Sequence, residues 1–290
     1  MKVIRRISLA LLLAVSTSLV VSCESNDDTT TVEQIMTPNQ ILSSTAWETT
    51  GAKNSAGESV ALNDSNVAMY VGNAYFKADG TFTMFNLDDS YKMHGDWSVP
   101  ADGKTRTLVV KDFANNIRFE RVVDITVLNK NEFTYRIYPN ANDKTVYFDI
   151  VHTPTKHAEA HLMTTSEALS NVDWVTTKGR DNQGGDVAKE DANVTNYVGY
   201  AYFKTDGTFT MFNLDDSPKM HGDWSIFTQD GKTYRNIDGQ AANGNPVKRD
   251  VQITVLTTTE FTYRTYPNAD DTSVYYDIVH EVTDHAEPAN

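Results

Sequence analysis

Cysteine is almost missing from this chain: Cys23 is the only one in 290 residues, so no disulfide can form within it. Basic residues are also short, 25 Lys and Arg against 39 Asp and Glu, for a formal net charge of −14. That balance lacks the cationic footprint of nucleic-acid binding, and nucleic acid is excluded as a partner. Catalytic signatures are missing too. There is no G-x-S-x-G, no H-E-x-x-H, no P-loop, no dinucleotide fingerprint and no cysteine nucleophile placed for catalysis. A non-enzymatic protein without a cofactor is expected.

What is present begins with an address. Lys2, Arg5 and Arg6 precede an apolar run over 7–21 that is too short to span a bilayer and has the form of a secretory signal. Val20-Val21-Ser22-Cys23 ends it and resembles the bacterial lipobox, in which a small residue precedes an acylated cysteine. The resemblance implies a lipid on the Cys23 thiol, cleavage after residue 22 and acylation of the new amine. Stable anchoring needs more than one such chain. Cleavage would remove three cations and no acid, leaving 22 basic residues against 39 acidic ones, about −17. So acidic a protein is repelled by anionic lipid except through its anchor. Residues 23–35 read as an acidic, Thr-rich tether. Glu24, Asp27 and Asp28 in it resemble acidic signals that send some bacterial lipoproteins to the cell surface. The expected location is the cell envelope, with surface display as a hypothesis.

The rest of the chain is written twice. YFKADGTFTMFNLDDSYKMHGDWS over 75–98 recurs over 202–225 with two differences, and NEFTYRIYPNANDKTVYFDIVH over 131–152 recurs over 259–280. Trp47 maps to Trp174, Met36 to Met163, and His157-Ala158-Glu159 to His285-Ala286-Glu287. Units of about 125 residues are of single-domain size, far longer than solenoid repeats. Boundaries are expected at 36–153 and 163–283, with a linker over 154–162 and a tail over 284–290.

Each unit opens on a capping-box pattern, Thr37-Pro38-Asn39-Gln40 and Thr164-Thr165-Ser166-Glu167, which predicts a short helix running into the tryptophan. Strands are predicted over 70–77, 81–87, 93–99, 105–111, 122–128, 132–138 and 145–152, with Asp-Gly turns at 79–80 and 102–103. The short helix, F-x-x-D-G-T-F-T, a G-x-W strand, D-G-K-T-x-T and N-x-F-T-Y together resemble lipocalin-like domains of bacterial lipoproteins, many of unknown function. The resemblance implies an all-β chain of two tandem lipocalin-like antiparallel barrels, each with a central cavity. It transfers no substrate and no functional residue.

Candidate site residues come from the repeated hairpin. With 88–92 as its loop, Leu87 opposes Met93, Phe85 opposes Gly95 and Thr83 opposes Trp97, which makes Phe85, Leu87, Met93 and Trp97 the core face. The other face then carries Met84, Asn86, His94 and Asp96, repeated as Met211, Asn213, His221 and Asp223. It reads equally as a cavity lining, a surface where the domains meet, or a solvated face. Arg136 and Tyr138, repeated as Arg264 and Tyr266, share a strand face and suit a carboxylate or sugar. His94 with Asp96, or His152 with His157 and Glu159, offers ligands to a metal, but surface or turn-capping histidines explain them more simply, and no metal is assigned. Asp88 and Asp89, like Asp215 and Asp216, fit an Asx turn better than a calcium loop.

The leading expectation is a monomeric envelope lipoprotein whose barrels bind a small molecule or glycan. A structural or protein-interaction module is the alternative, and a glycan hydrolase the third reading.

Overall fold

The computed structural model describes residues 36–289. The signal, Cys23 and the tether over 23–35 lie outside the described residues. No helix among the described residues is long and apolar enough to cross a membrane.

The first unit runs α1 (Pro38–Leu42), β1 (Ala46–Asn54), β2 (Ser59–Val60), β3 (Asn73–Phe76), β4 (Thr81–Phe85), β5 (Tyr91–Ser98), β6 (Thr105–Lys111), β7 (Ile117–Asn129), β8 (Glu132–Ile137) and β9 (Phe148–Thr155). The second repeats it as α2 (Thr165–Ser170), β10 (Asp173–Asp181), β11 (Asp186–Val187), β12 (Tyr200–Phe203), β13 (Thr208–Phe212), β14 (Pro218–Gln229), β15 (Lys232–Ala241), β16 (Pro246–Leu256), β17 (Glu260–Thr265) and β18 (Tyr276–Thr283). Neighbouring strands pair antiparallel. β1 closes on β9, and β10 on β18, so each unit is an eight-stranded barrel with one extra two-residue strand. Closure removes the free edges that an open sheet exposes. Tyr70, predicted in a strand, instead ends a single 3₁₀ turn over Ala68–Tyr70.

The short helix stoppers one end of the barrel. Thr37 and Gln40 form the reciprocal capping box, and Thr164 and Glu167 repeat it. Leu42 and Trp47 are fully buried, and the Trp47 indole N–H donates to the Leu42 carbonyl at 2.8 Å. Trp174 and Leu169 do the same at 2.8 Å. Burying one such large side chain contributes roughly 1.5–3 kcal/mol.

The hairpin register differs from the expected one. The observed pairs are Phe82 with Gly95, Thr83 with His94, Met84 with Met93 and Phe85 with Tyr91. The loop is tighter than assumed. Asp89 adopts φ 65°, its N–H donates to Asn86 O at 3.1 Å, and Asp88 Oδ1 accepts from the Ser90 amide and hydroxyl at 3.0 and 2.6 Å. The slip is odd, so β4 turns over relative to β5. Phe82, Met84, Met93 and Trp97 pack into the barrel core. Leu87, expected there, is 50% exposed in the loop, and Phe85 is buried against Tyr75, outside that core. Gly95 makes room as anticipated, but for backbone: at φ 152° a Cβ would lie 2.0 Å from the Val109 carbonyl.

The stretch expected as a linker is part of the fold. β9 reaches Thr155, and the Tyr75 hydroxyl meets His157 Nδ1 at 2.8 Å. Glu159 accepts from Thr83 and pairs with Lys77 at 3.0 Å. His285 and Glu287 repeat these contacts on Tyr202, Thr210 and Lys204. Both straps lie over the outer side of the sheet.

One junction joins the barrels. The β6–β7 turn carries Phe113 and Ala114 into the core of the second barrel. Phe113 N donates to Leu256 O at 2.9 Å, Leu256 N to Asp112 Oδ2 at 3.1 Å, Thr165 Oγ1 to Phe113 O at 2.6 Å and Thr233 Oγ1 to Ala114 O at 2.8 Å.

Candidate functional site

Strand alternation sends every second residue inward, and in each barrel several of the inward residues are cations. Arg106 on β6 alternates with Leu108 and Val110, and Arg121 stands on the neighbouring β7. Lys92 reaches the same space by another route. Met84 pairs with Met93 and Phe85 with Tyr91, so Lys92 is the extra residue of a β-bulge, a device that re-aims a side chain. Its ammonium donates to the Val71 carbonyl at 2.6 Å. The second barrel repeats this arrangement. Lys219 is skipped between Met220 and Pro218 and donates to Val198 O at 2.6 Å.

These residues line a cavity in each barrel. In the first they are joined by Tyr70, Met84, Tyr135 and His152. In the second the set is Tyr197, Met211, Lys219, Arg235, Arg249, Tyr263 and His280. Each cavity encloses about 370 Å³ counted out to its mouth, and its narrow inner part has room for little more than a water-sized occupant. No Asp or Glu lines either one.

The charge is confined with no carboxylate beside it. Arg106 is 2% and Arg235 1% exposed, and the Nε of each is buried with no hydrogen-bond partner. Aromatic rings surround the guanidinium: that of Arg106 lies 4.6 Å from the Tyr135 centroid, 5.4 Å from Phe133 and 5.5 Å from Phe76. Cation–π contacts contribute roughly 0.5–2 kcal/mol, whereas taking a charge out of water costs several kcal/mol. Three such rings offset part of the burial and leave the guanidinium without an ion-pair partner. Burial lowers the pKa of Arg106 below its usual value and that of Arg235 to about 10. It brings Lys92 and Lys219 to about 8, with Arg121 and Arg249 adding repulsion. His152 and His280 fall to about 3, first through burial and then through Arg106 and Arg235. They are neutral near pH 7. With His152 Nδ1 3.2 Å from Phe133 O, that nitrogen carries the proton and donates it. Each cavity is thus a narrow, cationic chamber inside an acidic protein.

The residues singled out from sequence divide. Met84 and Met211 line the cavities. Asn86 and Asn213 instead donate within the hairpin loop, to Ser90 and Ser217. His94 accompanies the junction, 2.8 Å from the Tyr91 hydroxyl and with its ring 5.2 Å from Phe113. Asp96 pairs with Lys111 at 2.6 Å, while His221 and Asp223 are exposed. Arg136 is held by Asp149 at 2.8 and 2.9 Å over the Tyr147 ring, and Arg264 likewise by Asp277 over Tyr275. Tyr138 donates to Asp124 at 3.1 Å. Arg136 and Tyr138, like Arg264 and Tyr266, line an outer groove beside the cavity mouth. Sequence reading missed Lys92, Arg106 and Arg121. A signal for two of them was present: TRTLVVK and KTYRNIDGQA on β6 and β15 differ widely yet keep their arginine, as do β7 and β16.

Fold and cavity define a class, tandem closed antiparallel β-barrels with a small polar chamber in each. Residues 39–162 and 166–289 both match the family described as Domain of unknown function (DUF4822), and the chain belongs to it. No curated protein matches the chain.

Proposed function

We propose that this chain is a non-enzymatic binding protein of the cell envelope whose two barrels each bind a small anionic ligand. The observation that carries this reading is the buried guanidinium of Arg106 and Arg235, present in both barrels with no carboxylate in either cavity. A buried cation without a counter-ion is unfavourable, and an anion entering the chamber supplies one. The three cations of each wall also disfavour cationic competitors. Lipid anchoring at Cys23, with the acidic tether as spacer, remains part of the proposal on the sequence pattern alone. A protein-interaction role is supported by a different observation, the exposed apolar side chains Ile117, Phe119 and Val122 along β7. Glycan hydrolysis draws no support from cavities that hold no carboxylate.

Isothermal titration of the lipid-free protein with phosphate, sulfate and small carboxylates tests the reading. Two binding events that disappear in Arg106→Met/Arg235→Met are expected. An absence of heat and of thermal stabilisation with every anion would overturn it.

A further inference from the structure

Outside each cavity lies the larger groove noted above, of about 890 Å³ in the first barrel and 980 Å³ in the second, counted to the open side. Tyr70 and Arg121 line both cavity and groove in the first barrel, and Tyr197 and Arg249 do so in the second. Cavity and groove therefore adjoin at this Tyr–Arg pair, in which the guanidinium lies 5.3 Å from the ring centroid in one barrel and 5.0 Å in the other. The inner cavity has room for little more than a water-sized group. An anion that places its charged oxygens there leaves the rest of its atoms in the groove.

The groove recurs between the barrels, as the chamber does. Six of the ten residues lining the first, Tyr70, Arg121, Val123, Arg136, Tyr138 and Ala141, stand in the second as Tyr197, Arg249, Val251, Arg264, Tyr266 and Ala269. Both arginines beside the tyrosine are already paired, Arg136 with Asp149 at 2.8 and 2.9 Å and Arg264 with Asp277 at 2.8 and 3.0 Å. A second carboxylate on the body of the ligand would have to compete with those aspartates. A wholly apolar body would cover the ion pairs and the tyrosine hydroxyls without giving them partners, which carries a desolvation cost. A hydroxylated ring avoids both. Its hydroxyls donate and accept, so they suit arginine N–H groups, tyrosine hydroxyls and the Asp124 carboxylate, whose place opposite the arginine is taken by the Gln252 amide in the second barrel. Its C–H faces suit the rings of Tyr138 and Tyr266 and the side chains of Val123 and Val251.

We propose that each barrel binds a sugar carrying one anionic group, a uronic acid or a sugar phosphate, with the charged group in the chamber and the ring in the groove. The inference rests on the anion reading and adds the body of the ligand to it. Duplication then gives one chain two sites for the same class of ligand.

The test is isothermal titration of the full lipid-free chain. Glucuronate and glucose 6-phosphate are compared with acetate and phosphate, which lack the body, and with phenylacetate and phenyl phosphate, whose body is apolar. At least one sugar anion is expected to bind at both sites about 10-fold tighter than its body-free counterpart, the gain from one or two added hydrogen bonds, and tighter than its phenyl counterpart. The tighter of the two sugar anions identifies the charged group. Tyr138→Ala/Tyr266→Ala is expected to remove the gain, so that the sugar anion falls to the affinity of its body-free counterpart. Should that pair fail to fold, Ala141→Trp/Ala269→Trp fills each groove from an exposed position and reads the same loss. Sugar anions that bind no tighter than acetate and phosphate, or phenyl compounds that bind as tightly as the sugars, overturn the inference and leave anion binding intact. Failure of every anion to bind the wild-type chain overturns both.

Discussion

The two barrels are nearly the same scaffold, and their clearest structural difference lies at one turn. In the first barrel the β6–β7 turn, residues 112–116, presents Phe113 to its neighbour. In the second, the corresponding turn between β15 and β16 is Ala-Ala-Asn-Gly-Asn, and its Ala242 N–H donates to Lys219 O at 2.9 Å within the same barrel. The same contrast reaches the hairpin, where Tyr91 in the first barrel becomes Pro218 in the second. Tyr91 is the residue whose ring packs on Phe113 at 4.7 Å. Meanwhile Lys92, Arg106, Arg121 and His152 of the chamber are kept as Lys219, Arg235, Arg249 and His280. Interior chemistry was kept while exterior contacts were free to diverge, which separates what these barrels do from how they are joined.

The largest expected effect lies at that turn. Phe113→Ala removes a buried ring from the second barrel's core and is expected to cost about 3–5 kcal/mol. Calorimetry should then show one transition splitting into two, with the second barrel melting first. Ala242→Phe, the reverse change at the second barrel's turn, should move stability by no more than about 0.5 kcal/mol. Equal effects at both turns would break the contrast.

The chamber comes next, and here the barrels should behave alike. In anion-free buffer, Arg106→Met and Arg235→Met each replace a buried charge that has no counter-ion with an apolar side chain. Such exchanges are commonly neutral or stabilising by about 1–4 kcal/mol. A rise in Tm with simultaneous loss of anion binding is expected for both. A fall in Tm in either would make that arginine a structural element of its barrel.

Acid and base should act on both chambers with a defined sign. His152 and His280 titrate at about 3 in the fold, against about 6.5 when unperturbed. Between those values the unfolded chain binds the extra proton, so the stability these residues contribute is intact above pH 6.5 and is lost as pH falls toward 3. Lys92 and Lys219 titrate at about 8 in place of 10.5. Their burial penalty is felt below pH 8 and relieved as pH rises to 10.5, while anion affinity falls over that range as the ammonium is lost. Titrations at pH 7 and 9 should show that fall in wild type. Lys92→Met/Lys219→Met should show little of it.

Much of this architecture was legible in the chain because it is written by local rules. Asp-Gly turns, capping boxes and alternating aromatics placed the helices and most strands. The hairpin register was not legible, because Asp89 in the left-handed region shortens the loop and no hydrophobic pattern reports that. Lys92 was missed for the same reason, since a bulge sets its direction. Arg106 looked like a strand cation that should face water, and only closure of the barrel shows otherwise. The groove residues Arg136 and Tyr138 were legible because a strand face beside a turn stays at the surface in any closed barrel.

The smallest effect concerns the straps, where one substitution should tell the barrels apart. Tyr200 stacks on His285 with centroids 3.9 Å apart and planes at 10°. Asn73 occupies the equivalent position in the first barrel and leaves its Oδ1 buried without a hydrogen-bond partner. The second strap therefore has an aromatic contact worth about 0.5–1.5 kcal/mol that the first lacks. Amide hydrogen exchange should be slower over 284–288 than over 156–160 by a factor of a few. Tyr200→Asn should bring the two straps to similar rates, and Asn73→Tyr should slow the first by giving His157 a stacking partner. If the rates already match in wild type, the ion pairs and the Tyr75 and Tyr202 hydroxyls hold both straps, and the stacked ring adds nothing.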